Sequence, residues 1–153
     1  MANYTIKDII YLAGLFDGEG CIHINRWRNK YKNGHRYSLL VQIKMCDGRL
    51  LPSLHEKFGG NIRTDQRSLR NPNHSDIAIW RVETNAAMKL LKMILPYLRL
   101  KHKQAKLGIN FQLKINSNSG SHPVPIREMR RRDRCYQKMK DLKKEERKYS
   151  LPV

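Results

Sequence analysis

The chain has 153 residues, which suits one domain or one domain followed by a tail. Its 31 Lys and Arg residues against 13 Asp and Glu give a formal charge of +18, an excess that points to a polyanionic partner. The 3 cysteines lack a C-x-x-C pair, which argues against a disulfide framework and a structural zinc site. Without an apolar run that would make a signal peptide or membrane span, we expect an intracellular protein with no membrane partner.

The first predicted element is a helix that opens at Thr5. Asp8 follows three residues later, which is a spacing typical of a capping box. Ile6, Ile9 and Ile10 then begin an apolar stripe at helical spacing. Two glycines, at positions 18 and 20, favour a C-terminal turn there.

Two features set this helix apart from an ordinary surface helix. Ala13, Gly14 and Gly18 place small residues on one side, and helical glycine costs roughly 1 kcal/mol against alanine. That cost is best accepted where another backbone comes close. Asp17 and Glu19 lie at the negative end of the helix dipole, which suggests a nearby cation. We therefore expect a close-packed helix pair that presents acids at one end.

Two strands are predicted next, over residues 21–28 and about 36–45, joined by a basic hairpin tip. Leu39, Val41, Ile43 and Met45 form one face of the second strand. Polar side chains of both strands alternate onto the other face, where they can hydrogen-bond base edges or phosphates. A merely solvated sheet face is the alternative interpretation.

A short helix is predicted over residues 48–58, with Pro52 in its first turn and two glycines at its end. The third strand begins at Asn61, with Ile62 pointing inward and Arg63 outward. The fourth strand, residues 75–82, has an ambiguous phase that a bulge or burial on both faces would explain.

Two further helices are predicted, from Asn85 to Leu95 and from about Ala105 to Asn116. Residues 84–126 include no acid and seven Lys or Arg. Because these like charges repel one another, we expect an anionic partner beside this region. The element order αββαββα predicts an α+β fold with one antiparallel sheet backed by helices. We divide the chain into a domain at residues 1–116, a linker at 117–126 and a basic helical tail at 127–153, which either solubilises the protein or contacts DNA.

Residues 12–20 read LAGLFDGEG, which resembles the LAGLIDADG motif of homing endonucleases at six of nine positions. The motif occurs once, and the resemblance extends over about residues 4–116. It implies an intron-encoded, site-specific endonuclease that hydrolyses both strands of a long pseudo-palindromic DNA duplex. A single motif further implies a homodimer, whose two sheets form a saddle over double-stranded DNA. The implied dimer interface comprises Leu12, Ala13, Gly14, Phe16 and Asp17.

The resemblance also implies the catalytic groups. Glu19 and the carbonyl of Gly18 match the Mg²⁺ ligands of the family, and Mg²⁺ would serve phosphodiester hydrolysis. Lys101 and Arg49 match basic residues placed around the scissile phosphate. Met45 occupies the place where some relatives have a polar residue that orients water.

The predicted DNA-binding residues lie on the strands, on the hairpin between them and at the start of the last domain helix. They are His23, Asn25, Arg26, Trp27, Arg28, Lys30, Arg36, Ser38, Leu40, Gln42, Lys44, Asn61, Arg63, Asp65 and Lys103. For single lysines, ordinary phosphate binding or a solvated surface is an equally good interpretation.

Two alternative functions also explain the basic charge, but neither involves DNA cleavage. One is a non-catalytic protein of the same fold, either an RNA maturase that binds intron RNA or a DNA-binding regulator. The other is an RNA-binding structural protein such as a ribosomal component, which explains the charge but not the motif. The acid at Glu19 favours the endonuclease, because a pure binder has no need of a carboxylate facing phosphates.

Overall fold

The computed structural model describes residues 4–28, 34–117 and 124–148. Its elements are α1 (Ile6–Glu19), β1 (Gly20–Arg28), β2 (His35–Met45), α2 (Leu51–Phe58), β3 (Asn61–Asp65), β4 (Ile77–Glu83), α3 (Thr84–Ile94), α4 (His102–Ser117) and α5 (Ile126–Arg147). The predicted α+β order is confirmed, and the segment 48–58 divides into a 3₁₀ turn followed by α2. No helix in the described ranges is long and apolar enough to cross a membrane.

The four strands form one antiparallel sheet in the order β1-β2-β4-β3. The helices pack on the face that carries Ile22 and Leu39, where α4 comes so close that a Cβ on Gly108 would lie 2.9 Å from a Leu39 methyl. This side holds Phe16, Trp80 and Phe111, the largest fully buried side chains. We call it the core face, and the opposite side the open face.

Helix α1 begins with the predicted capping box. The side chain of Thr5 accepts a hydrogen bond from the backbone of Asp8, and the Asp8 carboxylate accepts one from the Thr5 backbone at 2.7 Å. At its other end the helix has no glycine turn, because Gly20 has φ −75° and leads directly into β1. Glycine is needed there for space, since a Cβ would lie 2.4 Å from the Phe16 ring.

Strand β4 is buried on both faces, as one of the two predicted explanations requires. Trp80 on the core face is 0% exposed, and Ile79 on the open face is 3% exposed between its cross-strand neighbours Lys44 and Arg63. Ile62 shares the core face with Trp80 as predicted, but it is 41% exposed because β3 is an edge strand.

Helix α5 packs along the outer edge of β1 and against α4. Met139 is 2% exposed in the main core. Asp133 accepts hydrogen bonds from Arg26 at 2.8 Å and from Tyr37 at 3.1 Å. Residues 126–147 are therefore joined to the sheet by both apolar and polar contacts.

The turn between α2 and β3 contains two glycines with positive φ, +72° at Gly59 and +87° at Gly60. The space around them differs. A Cβ on Gly60 would lie 2.6 Å from the Arg81 carbonyl oxygen, whereas a Cβ on Gly59 would meet nothing within 4 Å.

This difference gives a paired test of the packing between this turn and β4. Gly59→Ala carries only the cost of its backbone conformation, φ 72° and ψ −152°, which suits glycine almost alone and costs another residue about 1–3 kcal/mol. Gly60→Ala adds a collision with backbone, so we expect it to lower the free energy of unfolding by about 1–3 kcal/mol more. Urea denaturation measures both, and equal losses would contradict the close approach.

Candidate functional site

The open face of the sheet carries most of the residues that we predicted to bind DNA. Strand alternation and the cross-strand register place eleven of them on this face: His23, Asn25, Trp27, Arg36, Ser38, Leu40, Gln42, Lys44, Asn61, Arg63 and Asp65. Leu40 is 6% exposed and Gln42 7%, so the middle of the face is closely packed while its ends are open. This surface offers amide, imidazole and cationic groups side by side.

Four predicted DNA-binding residues lie elsewhere. Arg26 is on the core face, where it pairs with Asp133 and lies 4.6 Å from the centre of the Tyr136 ring, so it does not lie with the other predicted residues. Arg28 alternates onto the same side as Arg26 and is exposed. Lys103 is exposed on α4, away from the sheet. Lys30 falls outside the described residues, as does most of the predicted hairpin tip.

The sequence analysis missed the four open-face residues on β4, which are Ile77, Ile79, Arg81 and Glu83. Arg81 lies directly between Gln42 and Asn61 in the register and is paired with Glu83. Nearby, the Asp65 carboxylate is held by Arg70 at 2.7 Å and Arg67 at 3.5 Å. Desolvation raises the pKa of the Asp65 carboxyl, but the two arginines lower it by more, so the net pKa is below the usual value. The arginines also balance the negative charge of Asp65 on the face that we predicted to bind DNA.

A chain of polar contacts crosses from α5 onto the open face. Lys143 Nζ lies 3.0 Å from Nδ1 of His23, and the amide of Gln42 lies 3.0 Å from Nε2 of the same ring. Burial, followed by the charges of Lys143 and Lys44, lowers the pKa of His23 to about 4. The imidazole is therefore neutral at physiological pH.

The carboxylate of Asp17 anchors the segment that leads into α4. It accepts hydrogen bonds from the backbone N–H groups of Arg99 at 2.7 Å, Leu100 at 3.2 Å and Lys101 at 3.0 Å. In return, the Lys101 ammonium donates to the backbone carbonyl of Asp17. Asp17 thus holds Lys101 at the C-terminal end of α1, while its place in a dimer interface stays a prediction.

Glu19 is exposed at the last position of α1 and makes no hydrogen bond or ion pair within the described residues. Its carboxylate and the nearby Gly18 carbonyl are hard oxygen donors of the kind that Mg²⁺ and Ca²⁺ prefer. Within the described ranges, however, no three His, Cys, Asp or Glu side chains form a metal-binding group. The metal-binding role of Glu19 and Gly18 therefore stays a prediction.

Arg49 is held by its neighbour Asp47 rather than by the other predicted catalytic residues. The Asp47 carboxylate caps the 3₁₀ turn at the Arg49 backbone and binds the guanidinium with contacts as short as 2.5 Å. This pairing lowers the pKa of Asp47 to about 2. The Arg49 side chain is still 90% exposed, so an anion from outside can reach it. Met45 packs against the core and offers no group that orients water.

The two sides of α1 have opposite surroundings. Leu12, Ala13 and Phe16 are 0% exposed inside one chain, so their predicted place in a dimer interface is wrong. On the other side, three large apolar residues are uncovered: Ile6 is 55% exposed, Ile10 48% and Tyr11 56%. Gly14 and Gly18 continue this exposed stripe, and a Cβ on either would meet nothing within 4 Å.

Comparisons with known proteins agree with this architecture. The model of the family described as LAGLIDADG endonuclease matches residues 12–113. No curated protein matches the chain. Among solved structures, the chain is similar to the homing endonuclease I-CvuI in complex with its target, with a TM-score of 0.62 and 18% identity over 88% of this chain and 96% of that one.

Two other solved structures give the same result. The archaeal intron-encoded homing endonuclease I-Vdi141I, complexed with DNA, is similar with a TM-score of 0.73 and 17% identity over 89% of this chain and 84% of that one. I-SmaMI, a LAGLIDADG homing endonuclease bound to cleaved DNA, has a TM-score of 0.70 and 18% identity over 91% of this chain but 46% of its own. At these identities the likeness shows the fold.

The contact between Asp17 and residues 99–101 predicts a local effect of Asp17→Asn. The amide has one acceptor oxygen and turns an NH₂ group toward backbone donors, so at least one N–H loses its partner. We expect amide hydrogen exchange at residues 99–101 to accelerate about tenfold, which corresponds to one net hydrogen bond.

Asp76→Asn is the matched control, because the Asp76 carboxylate caps a different loop through the Ser68 N–H and hydroxyl. Both bonds go to the same Asp76 oxygen, which an Asn amide keeps, so exchange should stay unchanged at Ser68 and at residues 99–101. Unchanged exchange at residues 99–101 in Asp17→Asn would contradict the anchoring role.

Proposed function

Because the chain belongs to the LAGLIDADG endonuclease family, and is by that membership a site-specific DNA endonuclease, we propose that it cuts as a homodimer with Mg²⁺ held between its two copies. The observation that supports this proposal is that one chain supplies only part of the expected set of metal ligands. A single free carboxylate, on Glu19, lies beside a single predicted carbonyl ligand at the exposed end of α1. A second copy supplies the missing half.

The exposed stripe of α1 supports pairing of the two copies at this place. Ile6, Ile10 and Tyr11 offer apolar area that a partner helix would remove from water, at roughly 25 cal/mol per Å². Gly14 and Gly18 let the two backbones approach closely toward the end that carries Glu19. A two-fold axis along this stripe brings both Glu19 carboxylates into one region, where their mutual repulsion favours a bound cation.

DNA binding follows from the same arrangement. Two copies of a chain with charge +18 repel each other, and a duplex that passes across both open faces offsets this repulsion. Arg36, Lys44 and Arg63 supply cations on that face, while Gln42, Asn25 and Asn61 supply amides that hydrogen-bond base edges. A two-fold protein reads a pseudo-palindromic site.

The chemistry divides among a few groups. A divalent ion between the Glu19 carboxylates would polarise the scissile phosphate and lower the pKa of a bound water molecule. Lys101, held beside this end of α1 by its bond to the Asp17 carbonyl, is placed to stabilise negative charge on the phosphate. Arg49 binds a phosphate oxygen once that oxygen replaces Asp47 as its partner.

The choice of Mg²⁺ rests on the donor chemistry and on the relatives. Carboxylate and carbonyl oxygens, completed by phosphate oxygens and water, suit Mg²⁺ in sites that act on phosphates. Structures of I-CvuI with DNA were obtained in the presence of Ca in one case and of Mg in another, the latter with the DNA not cleaved. A non-catalytic maturase or regulator is not favoured, since it gives no role to the free carboxylate of Glu19.

Cleavage by the wild type and by Glu19→Gln tests the catalytic proposal. On a randomised duplex library with Mg²⁺, the wild type should make selective double-strand cuts that EDTA abolishes. Glu19→Gln removes the charge of the ligand, and we expect at least about a hundredfold loss of rate. Glu56→Gln, which removes an exposed acid from α2, should cut like the wild type. Selective binding without metal-dependent cutting would support the regulator instead.

Sedimentation velocity of Gly14→Leu tests the dimer. The isolated chain has room for the new side chain, so the variant should fold normally. Between two close helices the same side chain costs about 2–3 kcal/mol, which weakens the dimer roughly a hundredfold. Lys89→Leu places an equal apolar group on the exposed side of α3 and should leave the dimer intact. A dimer that persists in Gly14→Leu would place the interface elsewhere.

A further inference from the structure

We propose that Lys143 is a positioning residue for sequence readout: through His23, it determines which hydrogen-bonding group Gln42 presents on the open face. The proposal rests on the DNA-endonuclease function above. It assigns a role to α5, all of which lies beyond the family match at residues 12–113.

The three side chains form a continuous relay from the edge of the sheet to its middle. Lys143 Nζ lies 3.0 Å from His23 Nδ1 and 3.2 Å from the sulfur of Cys21. On the other side of the ring, His23 Nε2 lies 3.0 Å from the amide nitrogen, Nε2, of Gln42. Cys21, His23 and Gln42 all belong to the open face, and Lys143 reaches them around the edge strand β1.

The donors and acceptors of this relay allow one arrangement. An ammonium group only donates, so His23 Nδ1 must accept and carries no proton. The neutral ring then has its single proton on Nε2, which donates to Gln42. An amide NH₂ facing an N–H makes no hydrogen bond, so the Gln42 amide must be turned by 180° from the placement in which its nitrogen faces the ring, which brings its carbonyl oxygen to that position as the acceptor. The amide of Gln42 is thereby oriented with its oxygen toward His23.

This orientation turns the NH₂ group of Gln42 away from the ring. Gln42 is 7% exposed, and its second amide atom has no protein partner among the described residues. That atom also does not belong to the buried unpartnered polar atoms of the described chain, so it keeps contact with the outside. What Gln42 offers to a ligand on the open face is a donor.

Helix α5 is held firmly enough to keep Lys143 in place. On one side of Lys143, Met139 is buried and Asp133 binds Arg26 and Tyr37. On the other side, Glu146 accepts a hydrogen bond from the buried amide of Gln104 on α4. The ammonium of Lys143 is thus presented from a docked helix.

A fixed donor has a definite preference among base edges in the major groove. Guanine, adenine and thymine each present an acceptor there, whereas cytosine presents its N4 amino group, a donor. The base that Gln42 reads is therefore guanine, adenine or thymine, and cytosine is rejected at that position. Without Lys143, the ring proton can move to Nδ1, the amide of Gln42 can rotate, and cytosine is accepted.

The first part of the test measures the tautomer of His23 in the absence of DNA. Long-range ¹H–¹⁵N NMR of the His23 ring should show the Nε2–H tautomer in the wild type and in Lys143→Arg, whose guanidinium also only donates. Lys143→Met should move the ring toward the Nδ1–H form. Lys140→Met removes the same charge from α5 at a residue that lies over Tyr136, and it should leave the tautomer unchanged. An Nδ1–H tautomer in the wild type overturns the proposal.

The second arm reads specificity by selection from a randomised duplex library. Gln42→Ala identifies the base pair that Gln42 reads. At that base pair, Lys143→Met should lose roughly tenfold of the discrimination against cytosine, while Lys143→Arg and Lys140→Met keep it. Equal losses in Lys143→Met and Lys140→Met would reduce Lys143 to a general charge and overturn the proposal. A wild type that selects no DNA would instead refute the proposed function, whatever tautomer NMR reports.

Discussion

Helix α1 has apolar residues on two sides, and both sides need to be shielded from water. The rest of the molecule is arranged around that constraint. One side, with Leu12, Ala13 and Phe16, is sealed into the core against the sheet and α3. The other side exposes Ile6, Ile10 and Tyr11 and continues into two glycines. A helix that is apolar on both sides is stable in water only when a second surface covers the exposed one.

The position of α1 also explains how distant parts of the chain reach one site. Its C-terminal turn carries Glu19, and the Asp17 carboxylate draws in the backbone of residues 99–101, more than eighty residues away in the sequence. Lys101 therefore reaches the acid-bearing end without any contact to Arg49, which is held locally by Asp47. Within one chain the site consists of separate parts, and pairing of two copies with DNA between them would bring those parts to bear on one phosphate.

Local patterns in the sequence predicted the elements of the fold well. The capping box at Thr5, the alternation in β1 and the glycine pair after α2 each depend on neighbouring residues, and each is present. The alternation predicted for β2 is lost from Leu39 to Ile43, which are all buried. The sides of α1 were predicted less well. Small residues at positions 13, 14 and 18 suggested a single close-packed side, but helical geometry sends Ala13 into the core and leaves the two glycines outside. Periodicity identifies faces without saying which neighbour covers each one.

Electrostatic contacts between residues far apart in the chain could not be predicted from the sequence. Arg26 is one of two arginines in β1, and nothing local indicates that Asp133 would bind it from α5. The same applies to Lys143 and His23, which are 120 residues apart. Such contacts depend on where a thinly apolar helix docks, and Met139 alone among its side chains is fully enclosed in the described core.

The most direct measurement is disulfide cross-linking of Gly14→Cys in a chain whose exposed Cys46 is replaced by serine. A disulfide needs Cα atoms about 4.4–6.8 Å apart, which two α1 helices reach only if their small residues meet at the two-fold axis. The account predicts rapid formation of a covalent dimer that still cuts DNA, and no such dimer from a cysteine at the exposed Lys89. Cross-linking no faster at position 14 than at position 89 would contradict it.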